Sequence, residues 1–482
     1  MSLKQKAITG VYWTAIHTLG SRGLAFIVSI ILARLLLPSE FGLIATLAIF
    51  ISLGQLLITG GLASSLIRTP KLEDKDLSTV FYFNLAGSVL IYVIIYLIAP
   101  LVADFYNQEI LTSLLRVLGI SFVIQAFAIV QNTRLIKLMN FKRLTIIRIP
   151  SLVIGALIAI YMAYQGYGVW SLVAQSLAIA VVSTVMLWIL SEWKPSLTFD
   201  KYAFSKHFGF GYKLTLSGIL NTVFEQIYVV LIGKYFPIAQ AGFYQRANSL
   251  AHYPSTTLAT VVHKVSYPVL SEVQDDDQRL QKTYSRILQG IIFLIAPVLV
   301  VMAVMASPLF RWMLTEKWMP AVPYFQILVV NALLYPVHAF NLQVLNVKGR
   351  SDLFLKAEVI KKILVILIIL VVFQFGIYGL LYGSVVGSVL SLLVNTYYSS
   401  MVIKYTLVEQ LVDLLPAILV AAGTGGIIYC IDQYAMVPEA FNDLVRLITS
   451  GVLAVFLYTF FAQMLRLESW NELLNIAKRY VK

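Results

Sequence analysis

The sequence predicts an all-α polytopic membrane protein, and three observations support this class. Of the 482 residues, 59% are hydrophobic and 12% are charged, whereas soluble domains carry roughly 25% charged residues. Apolar stretches long enough to cross a bilayer core, which takes about 20 helical residues, recur along the chain. Lys and Arg are concentrated in alternate connecting segments. Together these features predict about 14 transmembrane helices.

The predicted spans are numbered 1 to 14 in chain order. They lie near residues 7–36, 41–67, 77–103, 111–136, 144–164, 168–191, 206–235, 239–265, 286–311, 322–345, 359–375, 378–403, 410–431 and 443–465. Several exceed the minimum length, which permits tilt. Lys4 and Lys6 precede the first span, but that span is too long for a signal peptide and lacks a small-residue cleavage site. The single Cys430 excludes an intrachain disulfide.

The distribution of Lys and Arg predicts that both termini are cytoplasmic. If the spans alternate in direction, 27 of the 36 basic residues lie in segments on the side of the N-terminus. Four lie on the opposite side: Arg34, Lys234, Arg311 and Lys317. Cytoplasmic loops of membrane proteins carry this excess of positive charge. The net charge of +13 therefore reflects topology and attraction to anionic lipid rather than nucleic-acid binding.

A sequence repeat predicts two similar lobes. The stretch ILARLLLPSEFGLIA (31–45) corresponds without a gap to LIGKYFPIAQAGFYQ (231–245), which aligns Gly42 with Gly242. The alignment continues upstream, where Tyr12, His17, Ser21 and Ala25 match Tyr212, Ser217, Asn221 and Glu225. Near the lobe ends QGYGVWSLV (165–173) resembles FGIYGLLYG (375–383). Chance similarity between apolar segments is the alternative explanation.

The repeat divides the chain into five predicted regions. These are an N-terminal six-helix lobe (1–191), a cytoplasmic linker (192–206), a C-terminal six-helix lobe (207–404), two accessory transmembrane helices (405–465) and a cytoplasmic amphipathic tail (466–482). Because each lobe has an even number of spans, both lobes run in the same direction. Transporters bind substrates at such repeat interfaces, so a central cavity is expected.

Polar stripes on the first two spans of each lobe predict which faces line that cavity. Residues three and four apart share a helix face. The stripes are Thr14, His17, Thr18, Ser21, Arg22, Ala25 and Ser29; Ser52, Gln55 and Thr59; Lys213, Ser217, Asn221 and Glu225; and Gln245, Arg246, Ser249, His252, Thr256, Thr260 and His263. Hydroxyl groups alone could instead serve as helix–helix contacts.

Charged residues within the spans are harder to explain as helix–helix contacts than hydroxyl residues are. An Arg at the centre of a transmembrane helix raises the free energy of membrane insertion by at least about 2.5–3.5 kcal/mol. Arg22 lies deep in span 1 and is predicted to face substrate or to form a structural pair. Arg246 could bind substrate or anchor its helix at the outer interface. Glu225 is either a proton site or the partner of Arg22. Arg116 and Arg446 are expected to be interfacial anchors.

The candidate substrate-binding residues follow from these stripes. They are Arg22, Arg246, Lys213, Ser21, His17, Gln55, Asn221 and His252, with Glu225 as the ion-coupling or charge-pair candidate. Guanidinium groups bind phosphate in a bidentate manner, and amide and hydroxyl groups suit sugars. The pattern favours a ligand with anionic and sugar-like parts whose apolar tail stays in lipid.

Sequence motifs for catalysis are absent. The chain contains no Walker A, CxxC or HExxH motif and no spacing typical of a metal site, so no cofactor and no metal are expected. A membrane-embedded glycan polymerase or ligase would need a sizeable outer loop, but the longest, 103–109 and 431–443, are short. Transport energy would then come from an ion gradient or from the substrate's own gradient, and the protein is not expected to be an enzyme.

Four stretches carry a family resemblance. They are LGSRGLAFIVSIILARLLLPSEFGLIA (19–45), AGFYQRANSLAHYP (241–254), YPVLSEVQDDDQRLQKTYSR (267–286) and EKWMPAVPYFQILVV (316–330). In these the chain resembles polysaccharide flippases of the multidrug/oligosaccharidyl-lipid/polysaccharide exporter superfamily. More narrowly it resembles the Wzx-type branch that includes colanic-acid and teichuronic-acid exporters.

The resemblance implies two six-helix lobes in a V around a central cavity, in a bacterial inner membrane. It implies a substrate of the undecaprenyl-pyrophosphate-linked oligosaccharide class, held by cavity arginines that Arg22 and Arg246 match. It also implies contact with membrane lipids and with polysaccharide polymerase and co-polymerase proteins. The sodium-site acid of drug-exporting relatives has no counterpart in this sequence. A cation-coupled drug antiporter of the same fold is the main alternative, and the excess of cavity cations over acids argues against it.

Overall fold

The computed structural model describes residues 13, 16–434, 442–472 and 474, and these are mostly helical. The helices are α1 (Ser21–Leu35), α2 (Pro38–Thr59), α3 (Leu62–Arg68), α4 (Asp74–Tyr106), α5 (Ile110–Lys137), α6 (Phe141–Tyr164), α7 (Trp170–Leu190), α8 (Lys201–Tyr235), α9 (Ile238–Glu272), α10 (Asp277–Val304), α11 (Ala306–Leu314), α12 (Val322–Val347), α13 (Ser351–Val372), α14 (Gly376–Ile403), α15 (Leu407–Tyr434) and α16 (Asp443–Met464). A π-helical turn, Ile16–Gly20, precedes α1. Short 3₁₀ turns, Glu316–Ala321 and Phe373–Phe375, precede α12 and α14. Tyr12, Thr14 and most of the predicted tail lie outside the described residues.

The helices confirm an all-α multi-pass membrane protein. Within the described part of the chain, twelve stretches are long and apolar enough to cross a bilayer. One of them, Ser351–Ile403, contains both α13 and α14, whereas α9 is not among the twelve. The exact number of fourteen spans therefore remains a prediction.

The first compact unit of the chain comprises residues 1–242. In it α4 packs against α5, α6 against α7, and α8 against α2, α3 and α4. Leu47, Leu114, Leu115 and Phe122 are almost completely buried in its main core cluster. This division by contacts groups α8 with the preceding helices, whereas the repeat assigns the same helix to the second lobe. Contacts and sequence correspondence are different criteria, so the predicted lobe boundaries remain a prediction.

The second compact unit comprises residues 243–482. Its described helices pack as α10 on α15, α12 on α14, α13 on α14 and α16 on α15. Trp318, Phe310 and Phe325 are fully buried, and the rings of Phe310 and Phe325 meet edge to face at 5.3 Å. Large rings thus fill the space beside the short helix α11.

Close backbone contact explains why a glycine recurs in the repeat. Gly42 and Gly242 lie in the first turns of α2 and α9. A Cβ atom on Gly42 would overlap the carbonyl oxygen of Ile238, and one on Gly242 would overlap the carbonyl oxygen of Pro38. The Cβ of Gly242 would also lie 3.0 Å from the backbone nitrogen of Gly42. The two repeated turns therefore touch backbone to backbone, and only glycine leaves room for this contact.

Two consecutive glycines interrupt the second predicted span. Gly60 and Gly61 have φ of 52° and 63°, in the left-handed region, where residues with a Cβ are strained. The predicted span 41–67 is therefore two helices, α2 and α3, rather than one. Gly61 also lies against the backbone of Gly211 in α8, so a side chain at either position would force α3 and α8 apart.

Candidate functional site

The predicted polar stripe of α8 lies on one exposed face of that helix. Lys213, Ser217, Asn221 and Glu225 are all exposed, at spacings of four residues. Buried positions such as Gly211 and Thr215 alternate with them. Since α8 is among the helices that could cross the membrane, an ammonium and a carboxylate on its surface would be costly against lipid hydrocarbon. This face of α8 is therefore suited to a water-filled cavity.

The polar residues of α1 lie around its start. His17 belongs to the π-helical turn, and Ser21 and Arg22 open the helix; all three are partly buried. The α1 helix packs against α6. The structure thus places Arg22 beside Ser21 in the first turn of α1. The pairing of Arg22 with Glu225 remains a prediction.

Gln55 is exposed on α2. Its side-chain amide nitrogen donates a hydrogen bond to the amide oxygen of Gln125 on α5. The hydroxyl of Thr59 bonds back to the carbonyl of Gln55 at 3.0 Å. Gln55 and Gln125 therefore form a pair of amides whose remaining polar atoms can meet a ligand.

Arg246 is buried on α9, with 9% of its surface exposed. The carbon at the centre of its guanidinium lies 5.5 Å from the ring centroid of Trp318. A cation over an indole face gains electrostatic attraction, and more so when it is desolvated. Arg246 is therefore held against Trp318, and its role in substrate binding or as an outer anchor remains a prediction.

His252 lies one and a half turns further along α9 and is partly buried. Its Nδ1 lies 3.1 Å from the carbonyl oxygen of Asn248, and since a carbonyl only accepts, Nδ1 carries the proton. The ring meets Tyr335 edge to face at 6.2 Å. In the neutral ring, the Nε2 atom of His252 is then a hydrogen-bond acceptor.

Arg446 was expected to be an interfacial anchor, and the structure buries it instead. Arg446 is 3% exposed, and two of its nitrogens lie 2.8 and 2.6 Å from the carboxylate oxygens of Asp432. Arg311 of α11 reaches Asp443 at 3.3 Å beside this pair. A buried guanidinium requires such a bidentate partner. The pair joins α15 to α16.

Arg116 also bonds within the protein. Its Nε donates to the carbonyl oxygen of Tyr96 at 3.3 Å, and its guanidinium lies 4.1 Å over the Tyr96 ring. These contacts hold α5 against α4. Its role as an interfacial anchor remains a prediction.

A buried Ser–His–Asp arrangement in the first unit was not predicted from the sequence. His207 of α8 is fully buried; its Nδ1 lies 2.8 Å from Ser65 Oγ and its Nε2 lies 3.1 Å from Asp76 Oδ1. Asp76 also accepts a bond from the backbone nitrogen of Glu73, which caps α4. Ser65 is 6% exposed, so a substrate cannot reach its hydroxyl. These bonds tie α8 to α3 and α4 and are structural.

The second unit contains a buried polar cluster around Asn341 of α12. Tyr284 donates to the Asn341 side-chain oxygen at 2.8 Å, and Ser399 does so at 2.9 Å. The Asn341 amide nitrogen donates to Thr396 and to Gln410, both at 3.2 Å. Polar groups inside a membrane need such internal partners. The cluster connects α10, α12, α14 and α15.

A polar cavity of about 330 Å³ lies next to this cluster. Its lining includes Gln278, Gln281, Lys282, Ser285, Arg286, Gln289, Tyr405, Glu409, Asp413 and Glu468. Ser285 donates to Asp413 at 2.6 Å, and the Tyr405 hydroxyl donates to the same oxygen. Burial, together with the Asp413 carboxylate, raises the pKa of Tyr405 above its usual value, so the phenol stays neutral and donates. In the part of the chain that the structure describes, no cluster of metal-ligating side chains is found.

Comparison with known sequences identifies a family. The model of the family described as "Polysaccharide biosynthesis protein" matches residues 31–323. The lipopolysaccharide biosynthesis protein WzxC of Escherichia coli (strain K12) is 25% identical over 83% of this chain and 81% of its own length. The succinoglycan biosynthesis transport protein ExoT of Rhizobium meliloti is 27% identical over 70% and 69%, respectively. The teichuronic acid biosynthesis protein TuaB of Bacillus subtilis is 24% identical over 73% of each chain.

Solved structures show the same fold at low sequence identity. The lipid II flippase MurJ, in an inward closed conformation, aligns with a TM-score of 0.76 at 14% identity, covering 94% of this chain and 99% of its own. An inward-facing multidrug resistance MATE transporter aligns with a TM-score of 0.64 at 16% identity, covering 82% and 98%. Because the family model covers more than half of the residues, this chain is a member of the polysaccharide biosynthesis protein family.

Proposed function

We propose that the protein is a flippase that moves a lipid-linked oligosaccharide repeat unit from the inner to the outer leaflet by alternating access. The observation that carries this proposal is the exposed polar face Lys213–Ser217–Asn221–Glu225 on a helix that could cross the membrane. A hydrocarbon-facing helix would not present these groups, whereas a passage for a sugar headgroup requires them. The relatives named above as polysaccharide biosynthesis and transport proteins support the same conclusion.

In this proposal the cations bind the pyrophosphate. Arg22, Lys213 and Arg246 supply positive charge, and Arg246 is already oriented on Trp318, so little side-chain entropy is lost on binding. The hydroxyl, amide and imidazole groups of Ser21, Gln55, Asn221, His17 and His252 meet the sugars. The protein would thus be a transporter for surface polysaccharide and not an enzyme. The lipid chain of its substrate would stay in the bilayer during transport.

The proposed location is the bacterial inner membrane with both termini in the cytoplasm. The distribution of Lys and Arg supports this orientation. Membrane lipids surround the helices, and a polysaccharide polymerase with its co-polymerase would receive the product. The proposed substrate is the undecaprenyl-pyrophosphate-linked class.

Deletion of the gene tests the proposal. We expect the surface glycan to be lost and a lipid-linked oligosaccharide to accumulate on the inner leaflet, where mass spectrometry of extracted lipid identifies it. Normal surface glycan together with increased sensitivity to cationic drugs would show a drug antiporter instead. Glycan chain elongation by the purified protein would show a polymerase.

A further inference from the structure

A column of polar side chains, most of them partly buried, runs between α12 and α14 in the second unit. The Asn331 amide nitrogen donates to Ser384 Oγ at 2.9 Å. Further along, His338 Nε2 lies 3.0 Å from Ser388 Oγ, and His338 Nδ1 lies 3.3 Å from the amide nitrogen of Asn395. Both helices belong to stretches that could cross the membrane. A titratable imidazole is therefore held inside a membrane-spanning bundle by partners on the neighbouring helix.

The partners of His338 define its protonation. An amide nitrogen can only donate, so Nδ1 of the ring accepts from Asn395. The ring is then neutral, and its proton is on Nε2, which donates to Ser388. Asn395 itself is fully buried, and its side-chain oxygen has no hydrogen-bond partner among the described residues. An unused acceptor thus lies one amide rotation away from the ring.

This arrangement can hold a second proton without breaking its geometry. Rotation of the Asn395 amide by about 180° exchanges two groups of nearly equal size, the oxygen and the nitrogen. The oxygen then faces Nδ1 and accepts from it once that atom is protonated. The proton adds to the Nδ1 lone pair, the ring gains one positive charge, and Nε2 continues to donate to Ser388. Both protonation states of His338 therefore have a complete set of partners.

Charged and titratable groups lie on several elements around His338. The α12 helix packs against α10, α11, α13, α14 and the Glu316–Ala321 turn. Its side chains also contact α9, which carries Arg246, His252 and His263, and α15, which carries Glu409, Asp413 and Asp432. The α14 helix contains no Asp, Glu, Lys or Arg, and the charged residues of α10 are Asp277, Arg279, Lys282 and Arg286, all in its first ten residues. The α11 helix contributes Arg311, and the turn contributes Glu316 and Lys317. On α13, Lys361 acts on the ring electrostatically and is itself ion-paired with Glu358.

The hydrogen-bond partners that the structure describes for His338 include no carboxylate, and Lys361, which acts on the ring electrostatically, is a cation. A proton on His338 would therefore not be trapped by a carboxylate and can be released again. Reversible binding is what coupling to a gradient requires.

Polar side chains also connect the region of His338 to the 330 Å³ cavity. Thr396, the residue after Asn395, bonds Asn341 at 3.2 Å, and Asn341 bonds Gln410 at 3.2 Å. Gln410 donates to the Tyr405 carbonyl at 3.4 Å, and the Tyr405 hydroxyl bonds Asp413 in the cavity wall. Hydrogen-bonded side chains thus extend from Gln410 through Asn341 to Thr396 of α14, the residue next to Asn395.

We propose that His338 is a proton-binding site, loaded from this cavity, through which a proton gradient drives transport. The transport part of this inference rests on the proposed flippase function, whereas proton binding does not. The site is separate from Glu225 and supplies a titratable group where the sequence offers no sodium-site acid.

Nuclear magnetic resonance of ¹⁵N-histidine-labelled protein in lipid nanodiscs tests proton binding directly. The chain has five histidines, and the signals absent from His338→Gln belong to His338. We expect a neutral ring with Nε2–H at about pH 8 and a ring protonated on both nitrogens once the pH is taken well below the usual pKa of histidine. Asn395→Leu removes the acceptor for the Nδ1 proton. The proton concentration at which half of the His338 rings are protonated should therefore rise about tenfold. Asn331→Leu, in the same column, is the matched control and should leave the titration unchanged. A ring that stays neutral throughout, or carries its proton on Nδ1 at high pH, overturns the proposal.

Transport in proteoliposomes tests coupling, with the lipid extract of the deletion strain as the probe. An imposed pH gradient should raise the wild-type rate severalfold and leave the His338→Gln rate unchanged. A wild-type rate that responds to a sodium gradient and not to pH would overturn proton coupling. If the wild type moves no oligosaccharide under any gradient, the flippase function fails, and the resonance titration still decides whether His338 binds a proton.

Discussion

At the residue scale, Arg246 and Arg446 are both buried arginines, but the groups that contact them differ. Both guanidinium groups are buried, at 9% and 3% exposure. Arg446 has a bidentate carboxylate partner in Asp432, so its charge is balanced within the protein. Arg246 lies against the indole of Trp318, an arrangement that stabilises a cation. The contacts described for the two arginines thus differ, a carboxylate at Arg446 and an aromatic ring at Arg246.

Substitution of Arg22 tests whether cations of the protein bind the pyrophosphate of the substrate. We expect Arg22→Ala to lower surface glycan at least tenfold while membrane abundance stays near the wild-type level, because the change removes phosphate contacts together with the cost of holding a charge in the bundle. Immunoblotting of membranes and quantification of the glycan check this. Arg34→Ala, at the other end of the same helix, is the control. Wild-type glycan in the Arg22→Ala strain would contradict the cationic site.

Glu225 tests whether the exposed carboxylate of α8 pairs with Arg22. If the two residues balance each other, Glu225→Gln should reduce membrane abundance severalfold, since a loss of about 1–2 kcal/mol has that effect in cells. The double change with Arg22→Gln should restore abundance. Abundance that is unchanged in Glu225→Gln, with transport that no longer responds to a pH gradient, would show instead that Glu225 is the proton site.

At the element scale, helix starts and helix breaks determine how closely helices approach in the first unit. The first turns of α2 and α9 meet at Gly42 and Gly242, and the break at Gly60–Gly61 lets α3 lie against α8 at Gly211. Each contact involves backbone on both sides, so it cannot be relieved by a side-chain rotation. Such crossings are more sensitive to a single methyl group than contacts between long side chains.

Gly42→Ala and Gly242→Ala should each destabilise the protein by about 1–3 kcal/mol, the usual cost of overpacking. The methyl group would overlap the carbonyl oxygen of Ile238 or of Pro38. Thermal unfolding in detergent, followed by fluorescence-detected size-exclusion chromatography, measures the loss.

Gly87→Ala in α4 is the matched control, because a Cβ there has no atom within 4 Å. It should be neutral or slightly stabilising, since alanine favours a helix. Equal melting temperatures for Gly42→Ala and Gly87→Ala would show that the α2–α9 contact is looser than described.

At the scale of the whole molecule, the alternation of the helices and the charge asymmetry support one orientation. If the spans alternate in direction, the basic segments lie on one side of the membrane, as the distribution of Lys and Arg predicts. The buried polar cluster around Asn341 and the cavity beside Asp413 lie near the starts of α10 and α15.

Cysteine labelling tests this orientation. In a Cys430→Ala background, Lys194→Cys in the predicted linker should react with a membrane-impermeant maleimide only after the inner membrane is permeabilised. Asn107→Cys, at the turn between α4 and α5, should react in intact spheroplasts. The opposite pattern would place both termini outside and contradict the positive-inside interpretation.

Hydropathy and charge alone determined the class of the protein and the approximate position of each long helix. These signals are local, and the polar stripe on α8 is equally local because it depends only on a spacing of four residues. The stripe could therefore be predicted, and all four of its residues are exposed.

Only the tertiary structure showed the pairs that join distant helices. His207 and Asp76 are 131 residues apart, and Asn395 and His338 are 57 apart. Burial of Arg446 likewise depends on α15 packing beside α16. Hydrogen bonds and ion pairs of this kind require two helices at a fixed distance and rotation, which periodicity within one helix does not specify. Sequence therefore determined which faces are polar, and the packing of helices decided which polar groups bind each other.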